Sequence, residues 1–87
     1  MENYIIVKPE NPKKYKMVNS VLEIPTYLIE KNKNSIWIHR ELKPGEIVYY
    51  HYEDIFHFED KLFLSKVYKA GTIDEAFQAI HNFWKVF

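Results

Sequence analysis

"IVYYHYEDIFHFED", Ile47 to Asp60, holds two histidines, four acids and five aromatics in fourteen residues, and its reading decides the fold. Read as ligands and acids it is a metal or acid–base site. Read as alternating positions it is two strands of an aromatic sheet. Just before it, "KPGE" (43–46) has Pro44 and Gly45 where a type II turn takes them, so "IVYYHY" (47–52) is expected to return antiparallel along "SIWIHRE" (35–41). Across an even-numbered loop, odd positions on one strand share a face with even positions on the other. His39 then joins Trp37, Val48, Tyr50 and Tyr52, while His51 joins Ile36, Ile38, Ile47 and Tyr49. Histidines on opposite faces cannot close on one ion. His57, pairing near Leu62 and Leu64 across the next turn, reads as a half-buried strand residue. Only a helical turn over Glu53 to Phe58 would set Glu53 and His57 at i and i+4 to ligate a metal. The expectation is aromatic sheet, with no metal and no cofactor.

The neighbouring segments extend the same pattern. "NYIIVK" (3–8) reads as a strand stopped by Pro9 and Pro12, which break helix and ladder alike. "KKYKMV" (13–18) and "SVLEI" (20–24) are weaker strand candidates closed by Pro25. "TYLIEK" (26–31) and "SIWIHRE" flank "NKN", a hairpin turn on the ground that Asn tolerates positive φ. "IFHF" and "LFLSKVY" pair around "EDK". After "AGT" the period changes from 2 to 3.6. Thr72 with Glu75 three residues on forms a capping box, and Ile73, Ala76, Phe77, Ile80, Phe83, Trp84 and Phe87 fall on one helical face. Asp74, Gln78, His81 and Lys85 form the other.

The fold expected is α+β: a small antiparallel β-meander of about five to seven strands, open or partly closed into a barrel, with one C-terminal amphipathic helix on it. The order of elements is similar to that of small PH-like barrels, which also end in a helix. That likeness is one of element order and carries no site residue.

Composition bounds the rest. A chain of 87 residues has interior for one core, so residues 1–87 are read as a single domain. At 47% apolar and 17% aromatic it is far from disordered chains. Cysteine is absent, which removes disulfides and thiolate chemistry and suits a reducing compartment. No apolar run reaches the length of a signal core or a membrane span, so a cytoplasmic protein with no membrane partner is expected. Formal net charge is zero, which lacks the electrostatic footprint of a duplex DNA binder.

Catalytic chemistry finds no support. Two glycines, Gly45 in a turn and Gly71 before the helix, cannot build a P-loop or a dinucleotide fingerprint. Ser20, Ser35 and Ser65 have no nucleophile elbow. Acids paired at 53–54 and 59–60 stand at strand ends, where charges are solvated. The chain is read as a non-enzyme.

The two sheet faces differ instead. Tyr27, Ile29, Ile36, Ile38, Ile47 and Tyr49 make an aliphatic face suited to lie under the helix. Leu28, Glu30, Trp37, His39, Val48, Tyr50 and Tyr52 make the other, which one helix cannot also cover. Either the sheet curls over that face or a partner buries it. Tyr and Trp join large apolar area to a polar tip and are enriched in binding hot spots. The expectation is therefore a small protein-binding module, an inhibitor or adaptor, using Leu28, Trp37, His39, Tyr50 and Tyr52 to hold another protein or a second copy of itself. A Lys/Asn/Ile-rich vocabulary suits an accessory protein of an A+T-rich bacterial or phage genome. The alternative is a single-stranded nucleic-acid binder, with the same rings stacking bases while Lys8, Lys13, Lys14 and Lys16 around Tyr15 hold phosphates.

Overall fold

Alternation does make strands over most of the chain. In the computed structural model, which describes residues 3–9 and 25–85, these are β1 (Tyr4–Val7), β2 (Tyr27–Lys31), β3 (Ile36–Glu41), β4 (Ile55–Phe58) and β5 (Lys61–Ala70), followed by α1 (Ile73–Lys85). Among the described residues the strands form one antiparallel sheet in the order β1-β2-β3-β5-β4. The strand candidates over 13–18 and 20–24, the Trp84 side chain and Phe87 lie outside the described residues. No helix among those described is long and apolar enough to cross a membrane.

The β2–β3 hairpin has the predicted register, Ile29 opposite Ile38 and Leu28 opposite His39. Its turn closes through the Asn32 N–H on the Ser35 carbonyl at 2.8 Å, without the positive φ expected of its asparagines. The capping box forms at α1. The Glu75 N–H donates to Thr72 Oγ1 at 3.1 Å, and Glu75 Oε1 reaches back to accept from the Gly71 N–H at 2.8 Å, one residue earlier than in the usual box.

The helix lies on the face of Tyr27, Ile29, Ile36, Ile38 and Ala70, into which it inserts Ala76 and Ile80, with Ile73, Ala79 and Phe83 beside them. Phe77 corrects the sequence reading, because it is 42% exposed. The stripe that meets the sheet follows 73, 76, 80 and 83, where Ala76 lets the helix approach closely, and Phe77 falls on its flank.

The other face closes on itself. A flat five-stranded sheet would hold its edge strands about 19 Å apart, yet Tyr4 of β1 and Phe58 of β4 bring their ring centroids to 5.0 Å. The sheet is curled into a half-barrel with that face inside. Leu28, His39 and Phe63 are buried there, and Phe56 packs on both His39 and Phe63.

A bulge in β5 sits at the bend. Ile38 pairs with Tyr68 and Arg40 with Leu64, so His39 alone faces Ser65, Lys66 and Val67. Lys66 takes a left-handed φ of 56°, and its N–H, lost to the ladder, donates to His39 Nδ1 at 2.8 Å. The imidazole thus replaces a strand carbonyl at the break.

The strand expected over 47–52 is the main correction. The turn before it forms as read, with Gly45 at φ 94° and the Glu46 N–H on the Lys43 carbonyl at 3.0 Å. Residues Glu46–Tyr49 and Tyr52–Asp54 are instead two 3-10 turns. Two causes act together. A type II turn has the wrong twist for a two-residue hairpin and splays the chains it joins, and both edges of β3 are already taken, by β2 and by β5.

Candidate functional site

The connection from β3 to β4 is pinned at its start by Glu46. Its carboxylate accepts from the Lys43 N–H at 2.6 Å and from Arg40 Nη1 and Nη2 at 3.3 and 3.4 Å. Burial opposes ionisation of this carboxyl, but the Lys43 amide and the Arg40 guanidinium outweigh it and hold its pKa below the usual carboxylate value. Beyond Glu46 the backbone bonds to itself, the Tyr50 N–H to the Ile47 carbonyl at 3.3 Å and the Asp54 N–H to the His51 carbonyl at 2.9 Å.

With no sheet face to enter, the side chains point to water. Neither turn contributes a buried residue. Val48 is 76% exposed, Tyr49 80% and Tyr52 85%, with Ile47 and Tyr50 also exposed. Glu53 and Asp54 follow, exposed as well. The result is one continuous apolar and aromatic stretch ending in two acids.

The five residues expected to share a contact face are therefore divided. Leu28 and His39 are interior, consumed by the curl of the sheet. Trp37 is half-buried, and its neighbours are lysines rather than tyrosines: Lys66 Nζ and Lys69 Nζ lie 5.4 and 5.7 Å from its ring centroid. Tyr50 and Tyr52 belong to the exposed connection. Ile47 and Tyr49, assigned to the face under the helix, are in that connection too. Of the basic segment weighed for nucleic acid, Lys8 is exposed, while Lys13, Lys14, Tyr15 and Lys16 lie outside the described residues.

His39 has both ring nitrogens engaged, Nδ1 by the Lys66 amide and Nε2 on Glu30 Oε1 at 2.8 Å. An acceptor at Nδ1 makes Nε2 the protonated nitrogen of a neutral ring. Burial lowers its pKa, outweighing the Glu30 carboxylate that favours the cation. Burial also raises the pKa of Tyr4, with Glu30 adding to the effect. Such an imidazole has no free lone pair for general-base work. His57 is exposed on β4 opposite Leu62, so it does not share a helical turn with Glu53. No group of three or more metal-ligating side chains exists among the described residues. No protein-family description, curated protein or solved structure matches this chain.

Sequence reasoning missed the exposure of Val48 and Tyr49 and the lysines beside Trp37. The first had a signal in "PG", which favours type II over the primed hairpin turns. The second had none, because it depends on β3 pairing with a strand whose nearest contact lies more than twenty residues away.

Proposed function

We propose that the chain is a small non-enzymatic protein-binding module, an inhibitor or adaptor, whose contact surface is the β3–β4 connection rather than a sheet face. The observation that carries this reading is the exposure of Val48, Tyr49 and Tyr52, at 76, 80 and 85%, on a backbone already bonded to itself. Contiguous aromatic area left in water costs solubility, and soluble proteins retain it mainly where it is buried by something else. Tyrosines bury large area for little rotamer entropy, which suits them to be anchors.

The chemistry of the partner follows from the ends of the stretch. Exposed Glu53 and Asp54 favour an apolar hollow with a basic rim, so the occupant proposed is another protein of that character. A photo-crosslinking residue in place of Tyr52, in the full chain, tests this. One discrete adduct is expected, lost when Tyr49 is replaced by Ala. Adducts only of the chain's own doubled mass would reassign the partner to a second copy, and a featureless smear or no adduct would defeat the reading.

A further inference from the structure

β4 is one of the two edges of the sheet and follows the exposed β3–β4 connection without a break. Register decides which of its backbone groups lack a partner. The Leu42 N–H donates to the Leu62 carbonyl at 2.9 Å, so Leu62 and Leu64 turn their polar groups toward β3, and Lys61 and Phe63 turn theirs toward β4. Phe58 and Phe56 stand opposite these two and complete the ladder. Ile55 and His57 therefore face away from β5. The Ile55 N–H is taken by the Tyr52 carbonyl. That leaves the His57 N–H and the carbonyls of Ile55 and His57, which no backbone group meets among the described residues.

An edge of this kind is a template for another strand, and two features say which strand fits. Both ends of β4 are acidic. Glu53 and Asp54 precede it and Glu59 and Asp60 follow it, all exposed, and among the described residues none is in an ion pair. A second β4 paired antiparallel through His57 would set Asp54 of each copy against Asp60 of the other, and like charges directly opposite are destabilising. A strand with Lys or Arg at both ends meets opposite charge instead. The second feature is a cleft of about 210 Å³ between the end of β4 and β1, lined by Ile6, Thr26, Phe58 and Phe63 with Lys8 and the β4–β5 turn. Ile6 lies on the inner face opposite Leu28 yet is 43% exposed, so the half-barrel is open there. The cleft is smaller than the roughly 300 Å³ at which ligand pockets begin and suits a single side chain. In a strand added to β4, the residue opposite Phe58 shares its face and is directed inward, toward this cleft.

We propose that the protein held by the β3–β4 connection also adds an extended segment to the edge of β4. That segment is apolar at alternate positions, carries Lys or Arg at both ends, and places one inward side chain in the cleft between Phe58 and Ile6. The proposal rests on the reading of the connection as a contact surface and specifies how the partner is gripped: main-chain hydrogen bonds supply affinity, and the cleft and the acidic ends select the sequence.

The test uses the full chain and labelled peptides of about nine residues in which Thr alternates with Val, Leu or Phe between terminal lysines. In the chain alone the His57 amide should exchange with solvent faster than those of Phe56 and Phe58, and bound peptide should slow it. His57→Pro removes only this outward N–H, a change that an edge strand tolerates. It should weaken peptide binding about 5-fold or more relative to His57→Ala, which keeps the N–H. Peptides ending in Glu should bind more weakly than those ending in Lys, and Glu53→Lys with Glu59→Lys should reverse that preference. The exchange and charge-reversal arms decide the matter if His57→Pro does not fold. The proposal is overturned by no binding, by binding that leaves the His57 amide unprotected, by no preference for lysine ends, or by a folded His57→Pro that binds like His57→Ala. A His57 amide already slow in the chain alone, its edge covered by the chain itself or by a second copy, also overturns it. An adduct at position 52 that His57→Pro leaves unchanged would keep the connection as a contact surface and remove the edge, whereas peptide protection of His57 with no adduct at position 52 would do the reverse.

Discussion

The two halves of Ile47 to Asp60 have much the same vocabulary and opposite fates. Phe56 and Phe58, after Ile55, pair against β5 and turn their rings onto Phe63 and Tyr4. Tyr49 and Tyr52, before it, stand in water. What separates them is the presence of an edge to join. Residues 55–58 meet β5 across a two-residue turn, whereas 47–52 leave a type II turn toward a strand whose edges are both occupied. Alternation specifies a strand only where hydrogen-bonding partners are free to receive it. Rings that the fold does not consume are left in solvent, which is where the proposed contact surface lies.

The contrast is tested most severely where the fold consumes a ring entirely. Phe63 is 1% exposed between Phe56 and Phe58. Phe63→Ala should lower unfolding free energy by about 3–5 kcal/mol, read from denaturant melts. A loss no larger than that of a surface substitution would mean the inner face is not a core.

His39 should matter next. His39→Ala leaves the Lys66 amide and the Glu30 carboxylate without their shared partner, a cost of about 1–3 kcal/mol. His39→Gln, able to accept from one and donate to the other, should recover part of it. Because burial holds the folded pKa of His39 below its unfolded value, its neutral form contributes stability that is full above the ordinary histidine pKa. That stability is lost as pH falls through the unfolded value toward the folded one. Wild type should therefore lose stability between neutral pH and pH 5 more steeply than His39→Gln. Parallel pH profiles would contradict the buried neutral imidazole.

The smallest effect sharpens the account of the β4–β5 turn. Glu59 holds a φ of 58°, which costs an L-residue about 1–2 kcal/mol, against about 0.5–1 kcal/mol of extra chain entropy for glycine. Glu59→Gly should stabilise by about 0.5 kcal/mol. A decrease in midpoint would show that the Glu59 side chain does something the backbone argument omits.

Much of this architecture was legible in the residues. The capping box at Thr72 and Glu75, the β2–β3 register and the β4–β5 hairpin all rest on neighbours within a few positions, where spacing alone decides. The helix stripe was legible to within one residue: Ile80 is buried as its spacing requires, while Phe77 sits on the flank because two alanines let α1 settle closer on one side. The partner of β3 was not legible, since β5 competes for that edge from across the chain and wins by length, at ten residues. The candidate site inherited that error. Alternation gives Trp37 and His39 tyrosine neighbours, whereas the fold gives them lysines and a bulge amide, and Tyr52 stays exposed because no strand claims it.

The most direct measurement sets stability beside binding in one variant. In Tyr49→Ala with Tyr52→Ala, the melting midpoint should stay within the change expected of surface substitutions, about 0.5 kcal/mol. Affinity for the protein crosslinked at position 52 should fall by about 2 kcal/mol or more. A melt displaced as far as that of Phe63→Ala, with binding to the same protein unchanged, would contradict the claim that these rings belong to a partner and not to the fold.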